Sequence, residues 1–116
     1  EQKVIIFPER TYNGIVNRLN RARFTAGHEI GHLVLHSHLN YIFYDIKDIN
    51  KTDLDLELEA DFFSASILMP FQHIKRIILL NGNIKHISAF FQVSEESAIL
   101  RYLFVKKRLK NLNYKF

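Results

Sequence analysis

Four of the six histidines lie within eleven residues, in the stretch HEIGHLVLHSH. His28 and His32 are four residues apart, a spacing that places both side chains on one helix face, one turn apart. Two imidazoles at this spacing can bind one zinc ion, at about 2.0–2.1 Å each. Glu29 lies about 100° round the helix from His28. There it can act as general base on a water without binding the metal, so the motif predicts a zinc hydrolase site.

A catalytic zinc usually has three protein ligands, and His38 is one candidate for the third. It stands where the metzincin pattern HExxHxxGxxH has its last histidine. That pattern needs a Gly at which the helix breaks, but this chain has Leu35 there. A continuing helix would place residue 38 about 9 Å further along its axis than His32. The sequence therefore disfavours His38, and we interpret His36 and His38 as bystanders at a helix end, where positive charge is mildly favourable.

The acids of the segment ELEAD, residues 57–61, are the other candidates. Glu57 and Asp61 share one face of a predicted helix, whereas Glu59 points elsewhere. Glu57 can bind zinc as the third ligand. Asp61 can accept a hydrogen bond from the outer nitrogen of a ligand histidine, which fixes the tautomer of that imidazole. Glu59 stays open as an alternative ligand, although the helical spacing favours Glu57.

Small residues on both predicted helices indicate that the helices pack closely. Gly27 and Gly31 each cost about 1 kcal/mol relative to Ala in a helix interior. Facing Ala60 and Ser64, they would let the two backbones approach each other. Close packing would bring the histidines and the acids together.

A small amount of strand is predicted near the N-terminus. Residues 3–7 have the composition of a short strand, which Pro8 closes. Asn13-Gly14 is a strong hairpin signal, with a partner strand after it. The weakly alternating residues 40–46 are a further strand candidate.

The rest of the chain is predicted to be helical, because apolar residues recur at helical spacing between cap and stop signals. The predicted helices are residues 21–37 after the cap Asn20, 54–69 up to Pro70, from Pro70 to about Leu80, 84–92, and 95–109 after the cap Ser94. This predicts an α+β, mainly helical fold: a small N-terminal β-hairpin or sheet on the HExxH helix and the Glu-bearing helix, then a helical C-terminal tail. We expect one metallopeptidase domain over 1–116, with a hairpin region at 1–20, zinc-site helices at 21–70 and a C-terminal helical part at 71–116.

The composition narrows the class of protein. Hydrophobic residues make up 47% of 116 residues, which is typical of a globular chain. There is no Cys, so disulfides and Cys-ligated metal sites are excluded. No apolar run approaches the length of a membrane span and no signal peptide is evident, so we expect a cytoplasmic protein without a membrane partner. The chain begins with Glu1 rather than Met, which makes it a candidate fragment of a longer protein.

Two blocks of the sequence resemble the ImmA/IrrE family of bacterial and phage metallopeptidases. They are RARFTAGHEIGHLVLH, residues 21–36, and LELEADFFSASILMP, residues 56–70. The segment ISAFFQVSEESAILRYL, residues 87–103, is similar to the helical tail of that family. The resemblance extends over about residues 14–104. The departures, Ser64 and Gly27, do not affect the candidate ligands.

This resemblance implies a zinc endopeptidase of the gluzincin type that cleaves helix-turn-helix transcriptional repressors and so derepresses mobile-element, phage or stress genes. By motif position it implies Zn²⁺ held by His28, His32 and Glu57, with Glu29 as the base. The partner would be a protein substrate of the repressor class.

An oxyanion donor is also expected for a peptidase, and the sequence offers His73, Arg101 and Tyr102 without choosing between them. Other functions remain open: a non-catalytic repressor-binding or DNA-binding module, or a component of a toxin–antitoxin pair. Residues 84–103 also have a helix–turn–helix pattern, and the chain carries a net charge of +4. However, Glu95 and Glu96 stand where base-contacting residues should enter the groove, so direct DNA binding is not expected. The oligomeric state is not predicted.

Overall fold

The computed structural model describes residues 4–37 and 53–116, and in these residues the chain forms six helices. They are α1 (Glu9–Val16), α2 (Asn20–His36), α3 (Asp53–Leu68), α4 (Phe71–Leu79), α5 (Ile84–Phe91) and α6 (Glu95–Asn111). None of them is long and apolar enough to cross a membrane. The chain divides into two compact units, Glu1–Ser64 and Ala65–Phe116. The expectation of one domain over 1–116 stays a prediction.

The predicted N-terminal β-hairpin is wrong. Residues 4–8 are not in a strand, and the Asn13-Gly14 pair lies inside α1. The α+β class is therefore corrected to an all-helical fold in the part of the chain that the structure describes. The further strand candidate, 40–46, lies outside the described residues. The HExxH helix, the Glu-bearing helix and the helical C-terminal part are present.

Helix packing explains why the Asn-Gly signal failed. A hairpin turn of this kind needs positive φ at its central residues, but no described Gly has positive φ. Gly14 is buried instead, and a Cβ atom placed on it would lie 2.7 Å from Ala22 Cβ. The Gly thus lets α1 approach α2. The turn between α1 and α2 contains Arg18, which has a φ of 58°.

The two helices that carry the candidate ligands lie almost where they were predicted. The N-cap of α2 is Leu19, in extended conformation without a side-chain cap, rather than Asn20. The helix continues through Leu35 to His36, in agreement with the expectation that Leu35 does not break it. His38 lies outside the described residues.

Close packing of α2 on α3 matches the prediction made from the small residues. A Cβ on Gly27 would collide with Ser64 Oγ and lie 3.0 Å from Ser64 Cβ. A Cβ on Gly31 would lie 3.1 Å from the Ala60 carbonyl oxygen and 3.2 Å from Ala60 Cα. In addition, Ser64 Oγ donates a 2.8 Å hydrogen bond to the carbonyl oxygen of Phe24. The glycines therefore set the distance between the helices that hold the site.

Gly31→Ala should destabilise the protein, although Ala is the better helix former by about 1 kcal/mol. The new methyl group meets backbone atoms of α3, and overpacking of this kind costs about 1–3 kcal/mol. After the gain in helix propensity is subtracted, we expect a net loss of up to about 2 kcal/mol in the free energy of unfolding, measured by urea denaturation of the metal-free protein. Val34→Ala, at a position of α2 that is 59% exposed, is the control and should change stability less. A Gly31→Ala variant that is more stable than the wild type by about 1 kcal/mol, the full gain in helix propensity, would contradict the close packing.

The second unit builds its own core from α4, α5 and α6. Pro70 is the N-cap of α4, Asn83 caps α5 through a capping box with His86, and Ser94 caps α6 as predicted. The buried hydrophobic side chains of this core are Met69, Ile74, Ile78, Ile87, Val93, Ala98, Val105 and Leu109. The core thus depends on residues that recur at helical spacing.

Candidate metal centre

Three side chains converge where α2 packs on α3. The Nε2 atoms of His28 and His32 are 3.1 Å apart. Glu57 lies against both rings, with Oε2 3.1 Å from His28 Nε2 and Oε1 2.6 Å from His32 Nε2. One ligand atom from each of the three residues therefore lies within 4.8 Å of the others. Two residues of α2 and one of α3 thus form a compact set of metal-binding atoms.

The chemistry and spacing of this set suit a divalent metal. Two imidazole nitrogens and one carboxylate oxygen are ligands that zinc accepts, and tetrahedral ligands about 2.0–2.1 Å from zinc lie about 3.3 Å apart. The observed separations of 2.6–3.1 Å are close to that value. The histidine side chains are only 15% and 12% exposed, whereas Glu57 is 53% exposed. The site is therefore held by mostly buried rings and reaches the surface on the side of the carboxylate.

Asp61 lies one turn after Glu57 and contacts the outer nitrogen of His28. Its Oδ1 is 2.7 Å from His28 Nδ1. A carboxylate accepts here, so the ring must donate from Nδ1. This leaves the lone pair on Nε2, the atom that faces Glu57. The structure therefore brings Asp61 to the candidate ligand histidine in the arrangement predicted from the spacing of the acids.

The sequence matches the family model Peptidase M78, described as the IrrE N-terminal-like domain, over residues 16–103. The chain belongs to this family. The match spans most of the chain, includes both α2 and α3, and confirms the resemblance to the ImmA/IrrE metallopeptidases. Neither the curated proteins nor the solved structures contain a significant match to the chain. The part of the chain that matches this peptidase family therefore contains the His-His-Glu group that could hold a metal ion.

His36 is not the bystander that its place at the end of α2 suggested. It is only 2% exposed. Its Nδ1 lies 2.9 Å from His32 Nδ1, and its Nε2 lies 2.8 Å from Glu59 Oε1. Glu59, which the spacing predicted to point elsewhere than Glu57, thus has a specific contact with His36. The spacing of four residues between His32 and His36 was the signal in the sequence that could have revealed this pair.

Glu29, the predicted general base, follows His28 directly in α2 and is half-buried. Its place in the sequence puts it beside the first candidate ligand, as the HExxH motif requires. Its role as a base belongs to the proposal below.

The three candidate oxyanion donors all belong to the second unit of this M78 domain. Arg101 is 5% exposed, and its Nε donates a 2.9 Å hydrogen bond to the carbonyl oxygen of Met69. Burial lowers the pKa of Arg101 from its ordinary value, because desolvation disfavours the charged form. Tyr102 packs against the core of the second unit, and the His73 ring lies 6.2 Å from the Phe91 ring. Arg101 therefore has a structural contact that accounts for its burial, and none of the three is preferred as an oxyanion donor.

Proposed function

We propose that the chain is a zinc-dependent endopeptidase of the HExxH type. His28, His32 and Glu57 would hold the metal. The observation that carries this proposal is the convergence of their three ligand atoms in a chain that belongs to a peptidase family. Asp61 would support the site by accepting from His28, which keeps the metal-facing nitrogen of that ring unprotonated.

The proposed reaction is hydrolysis of a peptide bond. A zinc ion at this site would supply a Lewis acid that activates water and polarises the scissile carbonyl. Glu29 takes a proton from the attacking water and gives it to the departing amine, so that one carboxylate serves as base and then as acid. The open side of the site, at the exposed Glu57, gives an extended substrate a path to the reacting atoms.

The proposed substrate is a helix-turn-helix transcriptional repressor in the cytoplasm. The resemblance of the two motif blocks to the ImmA/IrrE peptidases supports this choice. Cleavage of such a repressor would switch on the genes that it controls, in a mobile element, a phage or a stress response.

The experiment uses the purified chain and a candidate helix-turn-helix repressor from the same genome. We expect the zinc-loaded chain to cut this repressor at one or a few peptide bonds, as seen by mass spectrometry. Removing zinc with a chelator should stop the cleavage, and adding zinc back should restore it. The same preparation should not shift duplex DNA in a gel at low salt. A chain that binds zinc and the repressor without cutting it would favour the non-catalytic hypothesis, and a salt-dependent DNA shift would favour the DNA-binding hypothesis.

A further inference from the structure

Besides Glu57 and Asp61, a third acid of α3, Glu59, is connected to the candidate metal centre, through the ring of His36. His28 contacts Asp61 directly, at 2.7 Å. The outer nitrogen of His32 instead contacts His36 Nδ1, and the far side of the His36 ring contacts Glu59. The outer nitrogen, Nδ1, of each candidate ligand histidine is therefore connected to a carboxylate of α3. For His28 the connection is direct, and for His32 it passes through the buried ring of His36.

The positions along the helices explain the difference between the two paths. Asp61 follows Glu57 by four residues, so both acids lie on the face of α3 that meets the ligand histidines. Glu59 follows Glu57 by two residues and lies about 200° round the helix. His36 lies one turn after His32 in α2 and bridges the gap between that ring and Glu59.

The positions of the protons on His32 and His36 can be assigned by counting the hydrogen-bond donors and acceptors of His32, His36 and Glu59. A neutral imidazole has one N–H and one lone pair. If His32 uses Nε2 to bind a metal, its proton is on Nδ1 and is donated to His36 Nδ1. His36 must then carry its proton on Nε2, which donates to the acceptor-only carboxylate of Glu59. All three groups are satisfied, and both hydrogen bonds point away from the metal.

The opposite tautomer of His32 competes with this arrangement when no metal is bound. With the proton on Nε2, the ring would donate to Glu57 Oε1, only 2.6 Å away. That form cannot bind a metal through Nε2. A Glu59 carboxylate that accepts from His36 Nε2–H leaves His36 Nδ1 as an acceptor, and an acceptor there favours the N–H on His32 Nδ1. His36 and Glu59 together thus favour the Nδ1–H tautomer of His32, which leaves Nε2 free to bind a metal.

We propose that His36 and Glu59 are positioning residues that hold the His32 ring in its metal-binding tautomer and orientation. This inference rests on the proposed metal site, because it assigns His32 as a ligand. Neither residue belongs to the three that converge as candidate ligands. Contacts of this kind to ligand histidines typically contribute about 10–100-fold to metal affinity.

The first test measures zinc affinity by competition with a chromophoric chelator. His36→Leu introduces an apolar side chain of similar volume and removes both hydrogen bonds, so we expect zinc to bind about 10–100-fold more weakly. His36→Asn restores an acceptor near the position of Nδ1 and should recover most of that loss. Glu59→Gln keeps the shape of the side chain but removes its charge, and should weaken zinc binding less than His36→Leu.

Two further variants serve as comparisons. Asp61→Asn weakens the direct acceptor of His28 and should also lower zinc affinity. Glu96→Gln removes an exposed acid in the first turn of α6 and should leave the affinity unchanged. Urea unfolding of each metal-free variant checks that it folds. If the His36→Leu variant does not fold, the test is the zinc affinity of Glu59→Gln compared with that of the wild type.

The second test observes the tautomers directly. In ¹⁵N spectra of the histidine rings of the zinc-loaded wild type, His36 should carry its proton on Nε2 and His32 on Nδ1. A proton on His36 Nδ1 would overturn the proposal. So would a folded His36→Leu variant that binds zinc as tightly as the wild type, or a His36→Asn variant that binds zinc no better than His36→Leu. If the wild type itself does not bind zinc, the proposed function fails, which is a separate outcome from unchanged affinity in the variants.

Discussion

Replacing Glu29 with Gln is expected to slow cleavage of the repressor by about 10²–10⁴-fold, the usual contribution of a general base. The amide has nearly the shape of the carboxylate but cannot take a proton from water. Glu29 follows His28 in α2 without being one of the three converging residues. Zinc binding and folding should therefore survive the change, and the loss should appear in the chemical step.

The measurement is a single-turnover cleavage assay with zinc content determined on the same sample. Glu96→Gln is a matched control, because it makes the same chemical change at an exposed position of α6. It should cut at the wild-type rate. If the Glu29→Gln variant holds zinc and cuts as fast as the wild type, Glu29 is not the base and the proposed mechanism is wrong. A variant that has lost its zinc would instead show that Glu29 supports the metal centre.

The sequence was sufficient to predict that four side chains converge between α2 and α3, because helical spacing determines which side chains share a face. His28 and His32 are one turn apart, as are Glu57 and Asp61, and the structure brings all four together. The glycines of α2 showed where the two helices meet, since Gly is costly in a helix interior unless close packing requires it. Leu35 in place of Gly correctly indicated that α2 continues.

The N-terminal region was predicted wrongly because a local signal was weighed without its tertiary context. Asn13-Gly14 is typical of a tight hairpin turn. In the fold, however, the short distance between Gly14 and Ala22 is what requires the Gly. The same residue type serves a turn or a helix contact, and a single sequence does not distinguish the two until the partner helix is known.

The burial and contacts of His36 were missed for a similar reason. Its place at the end of a predicted helix suggested exposure, but its burial depends on α3 lying beside it. The pairing of His36 with Glu59 joins residues 23 positions apart. Such a contact follows from the angle and register at which α2 and α3 pack, which helical periodicity alone does not determine.

Glu57→Ala should cause the largest loss of zinc binding among changes to α3. It removes a direct ligand rather than a supporting contact, so we expect affinity to fall by more than the roughly 100-fold upper limit that is typical of supporting contacts. Zinc at about 100 times its dissociation constant stabilises a folded protein by about 2.7 kcal/mol. The wild type should show this gain in urea unfolding with zinc, and the Glu57→Ala variant should show almost none at the same zinc concentration.

His38→Ala is the decisive comparison for the metzincin alternative, because His38 was the candidate third ligand in that arrangement. If Glu57 is the ligand, the His38→Ala variant should keep wild-type zinc affinity and the full zinc-dependent stabilisation. Loss of zinc with His38→Ala alone would move the site to the metzincin arrangement. Glu57→Gln separates charge from shape, since an amide oxygen is a much weaker zinc ligand than a carboxylate. It should therefore bind zinc nearly as poorly as Glu57→Ala, while a Glu57→Gln variant with wild-type affinity would show that Glu57 is only a neighbour of the metal.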